Sequence, residues 1–275
     1  MGLHDGHRGA PVADLPQRAV GGTLVFLVIM GGIFYGGWLW AAVAAAIALG
    51  SLWEFYGLLD SKQRVSRWFG MGAGAILLGA ATLKLEASAY LSVIVFIAFL
   101  VLFSEVIKRQ VTGNSAALLN MGGTLAGLVY VTLPWAFMIL LRSRESGKLF
   151  LLAIFLCTWS CDVAAYFTGK RFGRTLLSSR VSPKKTWEGF AGGVVASVLC
   201  GGLLSVIFRF PPNSLLLLGF LCGIAGQFGD LGESVLKREA NVKDTSNLIP
   251  GHGGLLDRFD SILINATLAF FLFYS

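Results

Sequence analysis

The chain has 275 residues, 55% hydrophobic and only 13% charged, with a mean hydropathy of +0.72 and a formal net charge of +7. Soluble domains are nearer one quarter charged, so the composition excludes a water-soluble enzyme and points to an all-α, polytopic membrane helical bundle. The positive balance belongs with cytoplasmic loops and does not call for a nucleic-acid partner.

Residues 1–18 form a polar tail. It begins Met-Gly, but Gly6 stands where a myristoylated chain carries Ser or Thr. The apolar run that follows lacks a small-residue cleavage site and reads as a retained first helix. A crossing takes about 20 apolar residues. Nine stretches fit, near 19–35, 38–59, 68–84, 88–107, 117–141, 149–168, 189–208, 214–236 and 259–274. They form one transmembrane domain over 19–275, and only "YGGW" separates the first two. With nine spans, the tail and the connections 60–67, 108–116, 169–188 and 237–258 share one side and hold 17 of the 22 Lys and Arg, against five opposite. That bias puts the amino terminus and both long basic loops in the cytoplasm.

Thirty-five glycines, including Gly32-x-x-x-Gly36, suit close helix packing, and such small-residue faces also suit a homodimer. "FGMGAG" lacks the strand-then-helix setting of a phosphate loop. Cys157, Cys161, Cys200 and Cys222 lie in apolar runs without a CxxC pair and read as packing residues.

Acids inside apolar segments are costly, about 2.5–3.5 kcal/mol at a helix centre, and mark function. Asp162 lies in "FLCTWSCDVAAYFTG", Asp230 in "GIAGQFGDLGESVLKR", and Asp257 with Asp260 in "GGLLDRFDSILIN". Asp162 precedes Gly169, and Asp230 precedes Lys237, by seven residues. Both therefore sit about 10 Å below the cytoplasmic mouth. Singly, each acid is explained equally well as an ion-pair partner or a cap. Four at one shallow depth suit Mg²⁺, which takes one or two carboxylates plus substrate phosphates.

The loop "GKRFGRTLLSSRVSPKKTWEG" adds six cations, with Ser182-Pro183 read as its turn. Its glycines and hydroxyls suit phosphate cradling. Asp230, Ser234 and Lys237 fall on one helix stripe. In "PGHGG" the glycines allow close backbone approach to a ligand, and His252 offers a phosphate donor.

The stretch "SVLKREANVKDTSNLIPGHGGLLDRFD" (234–260) resembles the signature of the phosphatidate cytidylyltransferases, or CDP-diacylglycerol synthases. Ser234, Lys237-Arg238, Lys243-Asp244, His252-Gly253-Gly254 and Asp257-Arg258-Phe259-Asp260 each match it. The block "TWSCDVAAYFTGKRFGRTLLSSRVSPKKTWEG" resembles the same family, so the active site is expected mainly within 158–261. The resemblance implies that CTP and phosphatidic acid give CDP-diacylglycerol and pyrophosphate with Mg²⁺, with room for a second cation. Asp230 and Asp257 are then the first metal ligands, with Asp260 and Asp162 next. Lys237, Arg238, Lys243, His252 and Arg258, and from the other loop Arg174, Ser182, Lys184 and Lys185, would hold phosphates. Arg258 alternatively bridges its flanking aspartates. Ser234, Asp244, Gly253 and Gly254 complete the substrate site. A bacterial chain of this kind belongs in the inner membrane among its lipids, with its site facing the cytoplasm. The rivals are another CTP-dependent membrane transferase, such as a polyprenol kinase, and an anionic-lipid or ion transporter. The second expects acids at the midplane and an inverted repeat.

Overall fold

A backbone inside hydrocarbon must satisfy its own hydrogen bonds, and the chain meets that demand with helices. The computed structural model describes residues 15–60, 65–246 and 253–274, without the side chains of 15–20 and of residue 60. Helices α1 (Leu15–Tyr35) and α2 (Gly37–Asp60) part where Gly36 and Gly37 take φ of +69° and +53°. That is left-handed backbone, which glycine adopts freely. Arg142 Nε closes the end of α1 by donating to the Ile33 carbonyl at 2.9 Å.

Then come α3 (Arg67–Thr82), α4 (Ala87–Thr112), α5 (Ala117–Gly127) and α6 (Leu133–Arg142). The last two are one rod joined by a π-turn, Leu128–Thr132. Pro134 has no N–H for the Tyr130 carbonyl, and the wider turn absorbs that missing bond. The chain continues as α7 (Gly147–Phe172), α8 (Trp187–Phe208), α9 (Pro212–Glu239) and α10 (Leu256–Phe273).

All nine expected segments are therefore helical. Among the described residues six rods are long and apolar enough to cross a membrane, those over 37–59, 87–112, 117–142, 147–172, 187–208 and 212–239. α1, α3 and α10 do not meet that measure. α7 and α9 outrun their expected ends, so Asp162 and Asp230 stand further from the helix termini than the spacing to Gly169 and Lys237 suggests.

In lipid, helices associate through packing and buried hydrogen bonds. Trp40, Trp135, Phe155 and Phe259 form an aromatic core, and Trp40 Nε1 donates to the Met138 carbonyl at 3.2 Å. α8 and α9 approach through glycines. A Cβ on Gly219 would fall 2.6 Å from the Ser197 carbonyl, and Ser197 Oγ donates to the Gly219 carbonyl at 2.7 Å. α4 instead turns Phe96, Phe99 and Phe103 outward.

The basic loop between α7 and α8 is not irregular. It forms an antiparallel hairpin of β1 (Leu176–Ser178) and β2 (Ser182–Thr186), with Leu176 opposite Thr186 and Ser178 opposite Ser182. Ser182-Pro183 therefore opens a strand, and the turn lies just before it. In a two-stranded sheet every strand is an edge, where Pro183 loses no ladder bond it needs.

Candidate active site

Five helix termini meet at one end of the bundle: the last turns of α2, α7 and α9 and the first turns of α8 and α10. The hairpin is folded onto the start of α8 by Glu188, which accepts from Arg174 N at 3.1 Å and Thr175 N at 3.2 Å. Thr186 caps the same helix by accepting from Gly189 N at 3.1 Å. Side chains alternate along a strand, so Lys184 is exposed while Lys185 turns toward α9.

Between α7, α8 and α9 lies a cavity of about 380 Å³ lined by Asp162, Lys170, Lys184, Lys185, Gln227 and Asp230, among others. Lys185 Nζ pairs with Asp230 Oδ2 at 2.6 Å and reaches the Gln227 carbonyl at 3.5 Å. Ser234 Oγ lies 3.4 Å from Asp230 Oδ1. Gln227 is held in turn by its Nε2, which donates to the Gly223 carbonyl at 2.7 Å.

One turn further along α9 the arrangement tightens. Lys237 Nζ sits between Glu233 Oε2 at 2.9 Å and Asp257 Oδ1 at 2.7 Å. Asp257 Oδ2 accepts from Thr245 N at 2.9 Å and Gly254 N at 2.8 Å, with the Thr245 hydroxyl also 2.9 Å away. Gly253 takes φ +78°, and a Cβ on Gly254 would strike Thr245 and Glu54. Glu233 is fully buried beside the Asp260 carboxyl, and among the described residues its Oε1 meets no donor from an amide, hydroxyl or cation. Asp260 lies in the same electrostatic neighbourhood as Glu233, Asp230 and Asp162, and its Oδ1 accepts from Ser261 N at 2.6 Å.

The structure thus gathers Asp162, Lys184, Lys185 and Asp230 at one cavity, with Ser234 beside Asp230. It gathers Lys237, Asp257, Gly253 and Gly254 at the neighbouring junction. Ser182 is half-buried in β2, while the side chains of Arg174, Arg238, Lys243 and Asp244 are exposed around the site. Arg258 opens into a separate cleft of about 250 Å³ with Val25, Phe26, Trp159 and Phe259. His252 lies outside the described residues.

A carboxylate offers about four lone-pair positions. Among the described residues Asp257 Oδ2 is taken up by two backbone amides and Oδ1 keeps one position beyond Lys237, while Asp230 has one lysine and one long hydroxyl contact. Among the described residues no group of three or more His, Cys, Asp or Glu is arranged to hold a metal by protein ligands alone. The donor set therefore fits Mg²⁺ only as one or two carboxylates completed by phosphate oxygens, the arrangement that ion favours. Asp162 and Asp230, both lining the cavity, meet that requirement.

Glu233 and Glu54 are absent from the sequence reading. Glu54 is 5% exposed in α2 and bonds to the segment before α10. The signal was present, since an acid alone in "SLWEFYGLL" satisfies the same criterion as Asp162.

The model of the cytidylyltransferase family matches residues 16–275. The phosphatidate cytidylyltransferase of Bacillus subtilis (strain 168) is 31% identical over 277 residues, covering 95% of this chain and 98% of that one. The protein of the same name from Rickettsia bellii is 38% identical over 156 residues, 54% of this chain and 68% of its own. That from Synechocystis is 47% identical over 128 residues, 46% and 43% of the two chains.

Proposed function

The chain belongs to the cytidylyltransferase family, and we propose on that premise that it transfers the cytidylyl group of CTP to phosphatidic acid, releasing pyrophosphate and forming CDP-diacylglycerol. The observation that carries this reading is the cavity at the helix ends, where Asp162 and Asp230 face Lys170, Lys184 and Lys185. Neither the transporter nor the lipid-kinase alternative is favoured beside this family membership.

The chemistry asks little of a general base. A phosphatidate phosphate oxygen is already ionised near neutral pH. It attacks the α-phosphorus of CTP, a new P–O bond forms, and the α–β phosphoanhydride breaks with its electrons leaving on pyrophosphate. What must be overcome is repulsion between two anions, so positioning and cations supply most of the catalysis. Lys184 and Lys185 are placed by β2 to meet the triphosphate, and Lys170 approaches from the end of α7. Asp230 and Asp162 would hold Mg²⁺, with Asp260 beside them. The ion would neutralise developing charge on the phosphates. Asp257 and Lys237 brace the junction between α9 and α10 and keep the neighbouring cations in place. The Arg258 cleft, apolar around one cation, suits a phosphatidate whose chains lie against Val25, Phe26 and Trp159.

Nine crossings, a cytoplasmic amino terminus and a site open to cytoplasmic CTP complete the reading, within the inner membrane of a bacterium. Its support is the basic bias of the loops, together with the meeting of the 169–188 hairpin and the segment before α10 at one end of the bundle.

The test is product formation by the purified chain in detergent, from labelled CTP and phosphatidate. Mg²⁺-dependent CDP-diacylglycerol with equimolar pyrophosphate is expected, lost with excess chelator and restored by Mg²⁺. Absence of any nucleotide-lipid product with every divalent ion tried would overturn the assignment.

A further inference from the structure

Glu54 lies in α2, far in sequence from the 158–261 stretch in which the motif confines the chemistry. A buried carboxylate in an apolar helix is tolerated only when its oxygens are satisfied, and here they are. Oε1 accepts from Ser246 Oγ at 2.6 Å and Leu255 N at 3.0 Å. Oε2 accepts from Thr245 Oγ1 at 3.1 Å and Leu256 N at 2.8 Å.

The choice of donors is informative. Leu255 and Leu256 open α10, where amide N–H groups have no partner within the helix. No side chain of that segment caps it at the N-cap position, so the cap comes from α2 across the bundle, with its negative charge at the positive end of the helix dipole. Thr245 and Ser246 lie in the stretch that follows α9. One carboxylate therefore fastens the two chain stretches that flank residues 247–252. Thr245 N also donates to Asp257 Oδ2 at 2.9 Å, and Asp257 Oδ1 accepts from Lys237. The bonds run without a break from Glu54 through Thr245 and Asp257 to Lys237.

We propose that Glu54 is a positioning residue for cytidylyl transfer, setting the first turn of α10 and Thr245 so that Asp257 and Lys237 stand correctly at the site. The inference rests on the cytidylyltransferase reading. It gives the amino-terminal half of the chain a direct part in the reaction geometry.

Glu105 supplies the control. It is also buried, at 3% exposed, and also receives a helix-start amide, with Ala116 N donating to its Oε2 at 2.7 Å. Its partners, Asn120 and Lys108, belong to the α4–α5 corner and not to the site. Glu54→Gln and Glu105→Gln would be purified beside the wild type, and rates normalised to the folded, monodisperse fraction.

Loss of folded protein lowers the apparent maximum rate but leaves KM alone, whereas misplacement at the site moves both. Displacement near 1 Å costs about 10²-fold. Glu54→Gln is therefore expected to lower kcat/KM about a hundredfold, with a KM for CTP raised several-fold. Glu105→Gln should leave both at the wild-type values per folded molecule. Equal constants for Glu54→Gln and wild type, or equal losses in the two variants, would overturn the proposal. Should Glu54→Gln fail to fold, Thr245→Val breaks the same chain of bonds without removing a charge. It is expected to raise the KM for CTP in the same direction, and an unchanged KM would overturn the proposal equally. A wild type that makes no CDP-diacylglycerol would instead fail the cytidylyltransferase reading itself, so the two failures are distinct.

Discussion

In the cavity between α7, α8 and α9, Asp230 keeps one lysine at 2.6 Å and one hydroxyl at 3.4 Å, and its side chain is 35% exposed. At the junction of α9 and α10, Asp257 is 8% exposed and binds Lys237 at 2.7 Å together with the backbone amides of Thr245 and Gly254. Both regions pair an aspartate with a lysine across two elements. Among the described residues the first has few donors around it; the second is crowded at Oδ2 and keeps one position at Oδ1 beyond Lys237. The difference teaches that two acids alike in residue type and depth are told apart by the donors around them, and it suggests an open role for Asp230 and a bracing one for Asp257.

The sharpest way to break this comparison is to neutralise each acid with little change of shape. Asp230→Asn is expected to cost the most in turnover, about 10³-fold, by the measure of other preorganised charge contacts. Its melting temperature in detergent should stay close to that of the wild type. Asp257→Asn should lose activity and stability together. It leaves Lys237 buried beside Glu233 with one partner fewer, and breaking such a pair costs about 3–5 kcal/mol. Thermal unfolding followed on both variants decides the matter. A destabilised Asp230→Asn with a stable Asp257→Asn would reverse the assignment of open and braced acids.

This division was only partly visible in the sequence. The spacing of Ser234, Lys237, Asp257 and Asp260 placed these four residues at one end of the bundle, where the structure also has them, because α9 and α10 are regular. Four acids at one depth look alike until the donors are known. The donors that distinguish Asp257 include the backbone amides of Thr245 and Gly254, which no side-chain pattern records. Glu54 escaped for a related reason: its partners lie 191 residues or more away along the chain. The hairpin escaped because Ser182-Pro183 has the composition of a turn, and only the absence of a further strand makes the proline harmless there. Pro134 inside the 117–141 run also went unread, and the π-turn sits where its missing N–H requires it.

A smaller effect sharpens the comparison within the open cavity. Lys185→Met removes a cation that holds Asp230 in this structure and that would move to the triphosphate in catalysis. Hydrogen bonds to charged groups are worth about 1.5–3 kcal/mol, so the KM for CTP should rise roughly ten- to a hundredfold. The Mg²⁺ concentration at half-maximal rate should fall, because Asp230 no longer has to release an ammonium group to take the metal. Titrating CTP and Mg²⁺ separately reads the two signs. A rise in both would mean that Lys185 helps to build the metal site and does not compete with it.

The smallest expected change is at Ser234, although it belongs to the motif and shares a helix stripe with Asp230 and Lys237. Its hydroxyl lies 3.4 Å from Asp230 Oδ1, at the outer edge of hydrogen-bond distance. Such a contact does little to orient an acid already paired with Lys185 at 2.6 Å. Ser234→Ala should therefore keep turnover within about threefold of the wild type, since so long a bond belongs at the lower end, about 0.5 kcal/mol, of what a net hydrogen bond is worth. A loss near that of Asp230→Asn would show that the hydroxyl acts on the substrate and not on the aspartate. The stripe on α9 would then be a substrate-binding face along its whole length, and the boundary between the open cavity and the braced junction would move one helical turn toward Lys237.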